Sequence, residues 1–192
     1  MIDRIVAHIE DDIILLSEVR GLAAYQRLVD GQSQSQDQLM NALIDQWVVR
    51  KEAEQARFPE PTAADIDAEA MRIQGASAAD AFRQKLDTAG LTLPELRRII
   101  GQQIYLERYL DYKFRPAVQV DEEAIAKYYE MDLSPALRAQ GHVPPPLDEV
   151  RERIREVLVQ RGIGERANTW FDETKSRLAI EIAAPAAVEG KK

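Results

Sequence analysis

A short alternating segment near the C-terminus constrains the fold of this chain more than any other feature. Residues 178–182 read Leu-Ala-Ile-Glu-Ile, an alternation that is typical of a β-strand with one buried face. A single strand leaves its backbone hydrogen-bonding groups unpaired and is not stable by itself. The segment therefore needs strand partners, and the other candidate strands lie at the opposite end of the sequence.

The N-terminal residues supply those candidate partners. Residues 4–9 are rich in β-branched side chains, and residues 13–16 form a second short apolar run. The acidic stretch Glu10-Asp11-Asp12 separates the two runs, which is the pattern of a β-hairpin. We expect the hairpin and the C-terminal strand to form one small sheet in which the two ends of the chain meet.

Most of the sequence between these strands predicts α-helices. Leu39, Leu43 and Trp47 recur every four residues, as in a helix with one apolar face. Hydroxyl residues that can cap the free amides of a first turn precede four of the helices; they are Ser17, Thr62, Ser77 and Thr92. At the last three, an acidic residue follows three positions later, as in a capping box; these residues are Asp65, Asp80 and Glu95.

The predicted helices span residues 18–30, 36–57, 63–74, 78–89, 93–114, 121–130 and 148–178. Between the last two, Pro135, Gly141 and the prolines at 144–146 predict an irregular stretch. The fold class is therefore mainly α, a multi-helix module with a small β-sheet made from the N-terminal hairpin and the C-terminal strand.

Composition excludes several classes of function. The net charge is −8, and lysine and arginine are mixed with acidic residues along the helices, so no basic surface for nucleic acid is expected. The chain has no cysteine, which excludes thiol nucleophiles, thiolate metal sites and disulfides. No apolar run is long enough to cross a bilayer, so stable membrane insertion is not expected.

No motif for catalysis or for a cofactor can be assembled. His8 and His142 are the only histidines, and they are far apart without a neighbouring ligand pattern. The acidic clusters lack the glycine-containing spacing of a calcium loop, and phosphate-loop and zinc motifs are absent. We therefore expect no catalytic residues, no cofactor, no metal and no enzymatic activity.

Aromatic residues are concentrated near the end of the helix predicted at 93–114. Tyr105, Tyr109 and Tyr112 share one helix side at i, i+4 and i+7, and Phe114 follows them. Ordinary packing explains such a stripe, and so does a surface for extended peptides, because aromatic rings bury a large area with few rotatable bonds. Both interpretations stay open; the predicted peptide-binding residues are Tyr105, Tyr109, Tyr112 and Phe114.

Several segments, taken in order, resemble the SurA family of periplasmic chaperones. The run Asp11-Asp12-Ile13-Ile14-Leu15-Leu16-Ser17-Glu18-Val19 is similar to the strand and helix start that open this family. The similarity continues through residues 42–46, 52–54, 61–67, 89–97 and 115–118. It covers nearly all of residues 2–129.

The resemblance implies a particular domain organisation. Many family members carry a parvulin-type prolyl isomerase domain after this region, but here only residues 130–145 precede the last helix, too few for a domain. Residues 146–182 resemble the segment that returns to complete the N-terminal module. We therefore expect one discontinuous module over residues 1–182, built from 2–129 and 146–182, followed by a mobile tail at 183–192.

The resemblance also implies a function. We expect a periplasmic holdase that binds unfolded or extended segments of exported and outer-membrane proteins and has no isomerase activity. A secretory signal is not recognisable, so we expect it to be absent from this form of the chain. A dedicated interaction or assembly module with one partner is the alternative, a peptidyl-prolyl isomerase is the least favoured, and self-association into a homo-oligomer stays open.

Overall fold

The computed structural model describes residues 3–183 and is mainly helical, with one small antiparallel sheet. The chain divides into two compact units. The first unit comprises residues 1–109 and 173–192, and the second comprises Leu110–Asp172. That residues 1–182 act as one module stays a prediction. Residues 184–192, most of the tail predicted to be mobile, lie outside the described residues.

The sheet joins the two ends of the chain, as predicted. It consists of β1 (Ile5–Ile9), β2 (Asp12–Leu15) and β3 (Ile180–Ile182), in the order β2-β1-β3 with both pairs antiparallel. His8 pairs with Ile13 on one side and with Glu181 on the other. The amide of Ala183 donates to the Val6 carbonyl at 2.9 Å and extends this pairing past β3. The C-terminal strand thus finds its hydrogen-bond partners in the N-terminal hairpin.

Five helices begin in the first unit, and the last of them continues into the second. They are α1 (Leu16–Asp30), α2 (Gln36–Gln55), α3 (Ala63–Gln74), α4 (Ala79–Ala89) and α5 (Leu93–Phe114). Two of the predicted capping boxes are formed. At α5 the Thr92 amide donates to the Glu95 carboxylate at 2.8 Å, while the Glu95 amide donates back to the Thr92 hydroxyl at 3.4 Å. Thr62 and Asp65 make the same reciprocal pair at α3.

Two other predicted caps are wrong. Ser17 lies inside α1, because the Leu16 amide still bonds the Arg4 carbonyl and the Leu15 amide is capped by the Glu18 carboxylate at 2.8 Å. Helix α4 begins after Ala78, and the Ser77 hydroxyl instead accepts a bond from the Lys85 ammonium at 3.1 Å. In both cases the helix begins at a different residue from the one that the serine predicts.

The core of the first unit lies between the sheet and its helices. Its members are apolar side chains with almost no solvent exposure, contributed by β1, β2, α1, α2, α4 and α5, and by Leu91 just before α5. The most completely buried include Ala7, Ile9, Ile44, Leu96 and Ile100. Ala7 and Ile9 are buried on either side of the exposed His8, and Val6 is buried as well, next to an irregularity in the pairing of β1 with β2.

The second unit contains one helix, at residues 134–139, in a stretch that was predicted to be irregular. It holds α6 (Glu122–Tyr128), a π-helical turn (Tyr129–Leu133), α7 (Ser134–Ala139) and most of α8 (Leu147–Lys175). The irregular stretch expected from residue 130 begins only after Ala139. Pro135 has no amide to donate, but it lies in the first turn of α7, and the widened turn before it keeps the chain helical.

A close helix contact in the second unit gives a sharp prediction about glycine. A Cβ atom placed on Gly162 of α8 would lie 2.7 Å from the Cγ1 atom of Val118, whereas one on Gly164 would meet nothing within 4 Å. Gly162→Ala should therefore lower the free energy of unfolding by about 1–3 kcal/mol despite the better helix propensity of alanine. Gly164→Ala, the matched control, should raise it by about 0.5–1 kcal/mol.

Urea unfolding followed by circular dichroism measures both glycine variants. If the close contact is the cause, adding Val118→Ala should restore much of the stability that Gly162→Ala loses. Equal and stabilising effects of the two alanines would contradict this account of the helix contact.

Candidate functional site

Two of the four predicted peptide-binding residues pack against one aromatic ring of the first unit. The ring centroid of Phe58 lies 5.9 Å from that of Tyr105 and 5.4 Å from that of Tyr109. The Tyr105 hydroxyl also donates to the Phe58 carbonyl at 3.3 Å. Tyr109 is only 3% exposed, so it is a core residue and is not available to a peptide. For Tyr109, the packing interpretation is therefore the one that burial supports.

The position of Phe58 results from the way α2 ends. The Arg57 amide bonds the Glu54 carbonyl and the Phe58 amide bonds the Ala53 carbonyl, which is the pair of bonds that defines a Schellman motif. Arg57 takes the left-handed conformation that this motif requires, with φ at 52°. The turn directs Phe58 back towards α5, where it meets Tyr105 and Tyr109.

The other two predicted residues lie in the second unit. Tyr112 is 63% exposed and keeps the accessibility that a binding role needs. The Phe114 ring packs edge-on against Trp170, with centroids 5.7 Å apart, and the Lys113 ammonium lies 4.6 Å from the centre of the same indole. Phe114 is thus half-buried in an aromatic cluster, and Tyr112 is the most accessible member of the predicted set.

The second unit also has an apolar surface groove that was not predicted. We call it the apolar groove; it is open to solvent and has a volume of about 310 Å³. The α6–α7 segment, the loop after α7 and the first half of α8 form its walls. Its lining residues are Tyr128, Leu133, Leu137, Val143, Pro145, Val150, Arg153, Ile154 and Val157.

Helix α8 forms one side of the groove. Val150, Ile154 and Val157 follow one another at i, i+4 and i+7 and so share a helix face. Ile154 is 2% exposed, whereas Val157 is 40% exposed. Ile154 is therefore a core residue, while Val157 keeps much of its surface in water beside the groove.

The loop after α7 forms the opposite wall and is held in place by specific contacts. Gly141 takes a left-handed φ of 79°, and the His142 amide then bonds the Leu137 carbonyl at 2.9 Å, which closes the end of α7. The Tyr129 hydroxyl donates to the Pro145 carbonyl at 2.8 Å. Pro144, Pro145 and Pro146 restrict φ along the loop. Val143 is therefore presented on a constrained loop while being 91% exposed.

Most charged side chains of α8 near the groove form ion pairs or hydrogen bonds, but Arg153 does not pair with a carboxylate of the described residues. Glu122 binds Arg151 and, at 2.6 Å, Arg155, and these hydrogen bonds lower the pKa of Glu122. The Arg115 guanidinium and the Gln160 amide lower the pKa of Glu156 to about 2. Arg153, which lines the groove, has no ion-pair partner within residues 3–183, and no carboxylate is among the lining residues.

The lining of the apolar groove is mostly apolar. Among the residues described, no group of three or more histidine, cysteine, aspartate or glutamate side chains could hold a metal ion. The groove lining offers no pair of residues for nucleophilic or acid–base catalysis. Over the same described stretch, every helix is too short or too polar to cross a membrane.

A second cleft, in the first unit, is a weaker candidate. Its volume is about 330 Å³, and its rim includes Glu10, Asp11, Asp12 and Trp47. The Asp12 carboxylate already accepts bonds from the Trp47 indole at 2.8 Å and from Lys51 at 2.9 Å. This internal pairing leaves the apolar groove as the stronger candidate site.

Comparison with known proteins does not identify a family. No protein-family model matches the chain, and no curated protein matches it at a significant level. The SurA-type assignment made from the sequence therefore stays a proposal.

Proposed function

We propose that the protein is a holdase-type chaperone that binds apolar side chains of unfolded or extended polypeptides in the apolar groove. The observation that carries the proposal is an open groove of about 310 Å³, with seven aliphatic side chains, a tyrosine and an arginine in its lining. The SurA resemblance supports exported and outer-membrane proteins as clients and the periplasm as the location.

The physical properties of the groove match the needs of a holdase. Its volume is at the lower end of the range for ligand pockets, enough for a few client side chains. Transfer of one large apolar side chain from water contributes about 1.5–3 kcal/mol, which the entropic cost of association partly offsets. Binding should therefore be nearer micromolar than nanomolar, so that a client is released without a nucleotide.

Polar substitution of the exposed rim tests this function. In the double variant Val143→Gln/Val157→Gln, two amides replace side chains that are 91% and 40% exposed, so stability should change little. Affinity for extended apolar peptides should fall by about tenfold, because part of the apolar contact is lost. Suppression of aggregation should fall in parallel. Met131→Gln, an exposed apolar residue outside the groove lining, is the matched control.

The assays are peptide anisotropy and light scattering with several unrelated unfolded clients. Unchanged binding in the groove variant would sink the proposal, and activity towards a single partner would favour a dedicated interaction module instead. A prolyl isomerase assay runs beside them. Saturable catalysis that a point substitution in this chain removes would contradict the proposal of a non-enzymatic protein.

A further inference from the structure

The arginines on the first half of α8 divide into two classes. Arg151 and Arg155 both bind Glu122, and Arg151 also bonds Asp148 at 2.6 Å. Arg153 lies between them in sequence, but it lines the apolar groove and has no carboxylate partner in the described part of the chain. The groove therefore carries one guanidinium that makes no ion pair with a carboxylate of the described residues.

The three prolines in the loop wall of the groove cannot replace the donors of Arg153. Pro144, Pro145 and Pro146 have no amide hydrogen. The Tyr129 hydroxyl, a further donor near this wall, is already bonded to the Pro145 carbonyl. A guanidinium is suited to bidentate recognition of a carboxylate.

We infer that the groove selects polypeptide segments in which a carboxylate accompanies the apolar side chain, and that Arg153 binds this carboxylate. The inference rests on the proposed function and adds the class of segment that the groove prefers. Overall charge does not explain such a preference, because a protein with a net charge of −8 repels acidic peptides at long range. A preference for acidic segments therefore points to a local cation.

Matched peptides separate the charge from the apolar contact. The probes are fluorescein-labelled peptides of sequence Ser-Gly-Leu-Asp-Leu-Gly-Ser and Ser-Gly-Leu-Asn-Leu-Gly-Ser, with the C-terminus amidated. The protein should bind the aspartate peptide about threefold to tenfold more tightly than the asparagine peptide, as for a partly exposed charge-assisted contact. Added salt should reduce this ratio, while the affinity for the asparagine peptide should change little.

Arg153→Gln removes the charge and keeps a long helix-forming side chain. It should abolish the preference for aspartate, so that the variant binds the two peptides with equal affinity. Arg153→Lys should keep part of the preference, since it retains the charge without the planar fork. Arg166→Gln is the matched control, because Arg166 is an exposed arginine of α8 outside the groove lining. Melting curves check that all three variants are folded.

The possible results distinguish this inference from the proposed function. Loss of the aspartate preference in Arg153→Gln alone supports the inference. Equal affinity of the two peptides, with both weakened by Val143→Gln/Val157→Gln, would overturn the role of Arg153 and leave the groove as a binding site. If Val143→Gln/Val157→Gln leaves the affinity for both peptides unchanged, or if neither peptide binds, both proposals are overturned.

Discussion

Ending the chain at Pro146 will abolish cooperative folding of the second unit and strongly destabilise the first. The truncation removes α8 and with it Ile154, Ile163 and Phe171, which are buried in the second unit. Residues 110–146 that remain are fewer than the roughly 40 that a chain needs to keep a core without disulfides or metals. The first unit loses β3, and β1 becomes an unpaired edge.

Circular dichroism, urea unfolding and binding of an apolar dye measure the effect of the truncation. We expect a lower helix content, a broad transition and exposed apolar surface. Ile182→Ser is the control for β3, because this side chain is exposed and the substitution leaves the backbone pairing in place. A truncated chain that unfolds cooperatively with unchanged stability would show that neither unit depends on the C-terminal segment.

The sheet could be predicted because its pattern is local and its topology is forced. Alternation at 178–182 identified a strand, and the requirement for backbone partners left the N-terminal hairpin as the place to find them. The capping boxes at Thr62 and Thr92 were equally readable, since each is completed within four residues. The same local signature at Ser77 and Asp80 does not form a cap, so a motif of this kind does not by itself decide where a helix begins.

The apolar groove was not predicted because its walls come from segments whose pairing the sequence does not state. Pro135 suggested an end to helical structure, although a π-helical turn accommodates it. Residues 130–145 were consequently treated as a connection, which hid the pair Leu133 and Leu137 at i, i+4. That spacing was the available signal, and it would have predicted a helix with an apolar face at Leu133 and Leu137.

The tyrosines of α5 also show what a sequence pattern leaves undecided. Spacing alone placed Tyr105, Tyr109 and Tyr112 on one helix face, but it could not say what covers them. Phe58 covers Tyr105 and Tyr109 because the left-handed Arg57 directs it there, a result of backbone geometry at a helix end. Periodicity therefore located a face, and long-range packing decided which of its residues reach solvent.

The second large effect on stability is expected from the substitution Ile100→Ala in α5. Ile100 is fully buried in the core of the first unit, together with Leu96 and Ile99 of the same helix. Ile100→Ala removes methyl and methylene groups from a close-packed site and leaves a cavity that neighbours fill only in part. We expect a loss of about 2–5 kcal/mol in the free energy of unfolding, a large share of the roughly 5–15 kcal/mol that stabilises a typical domain.

Leu93→Ala on the same helix is the matched control for Ile100→Ala. Leu93 lies in the first turn of α5 and is about half exposed, so its truncation removes less buried surface and should cost below about 1 kcal/mol. Urea unfolding, analysed with the same dependence of the free energy on urea concentration for both variants, gives the two losses of stability. Similar small losses for the two variants would mean that the packing around Ile100 is loose, because a rigid core does not tolerate such a cavity at low cost.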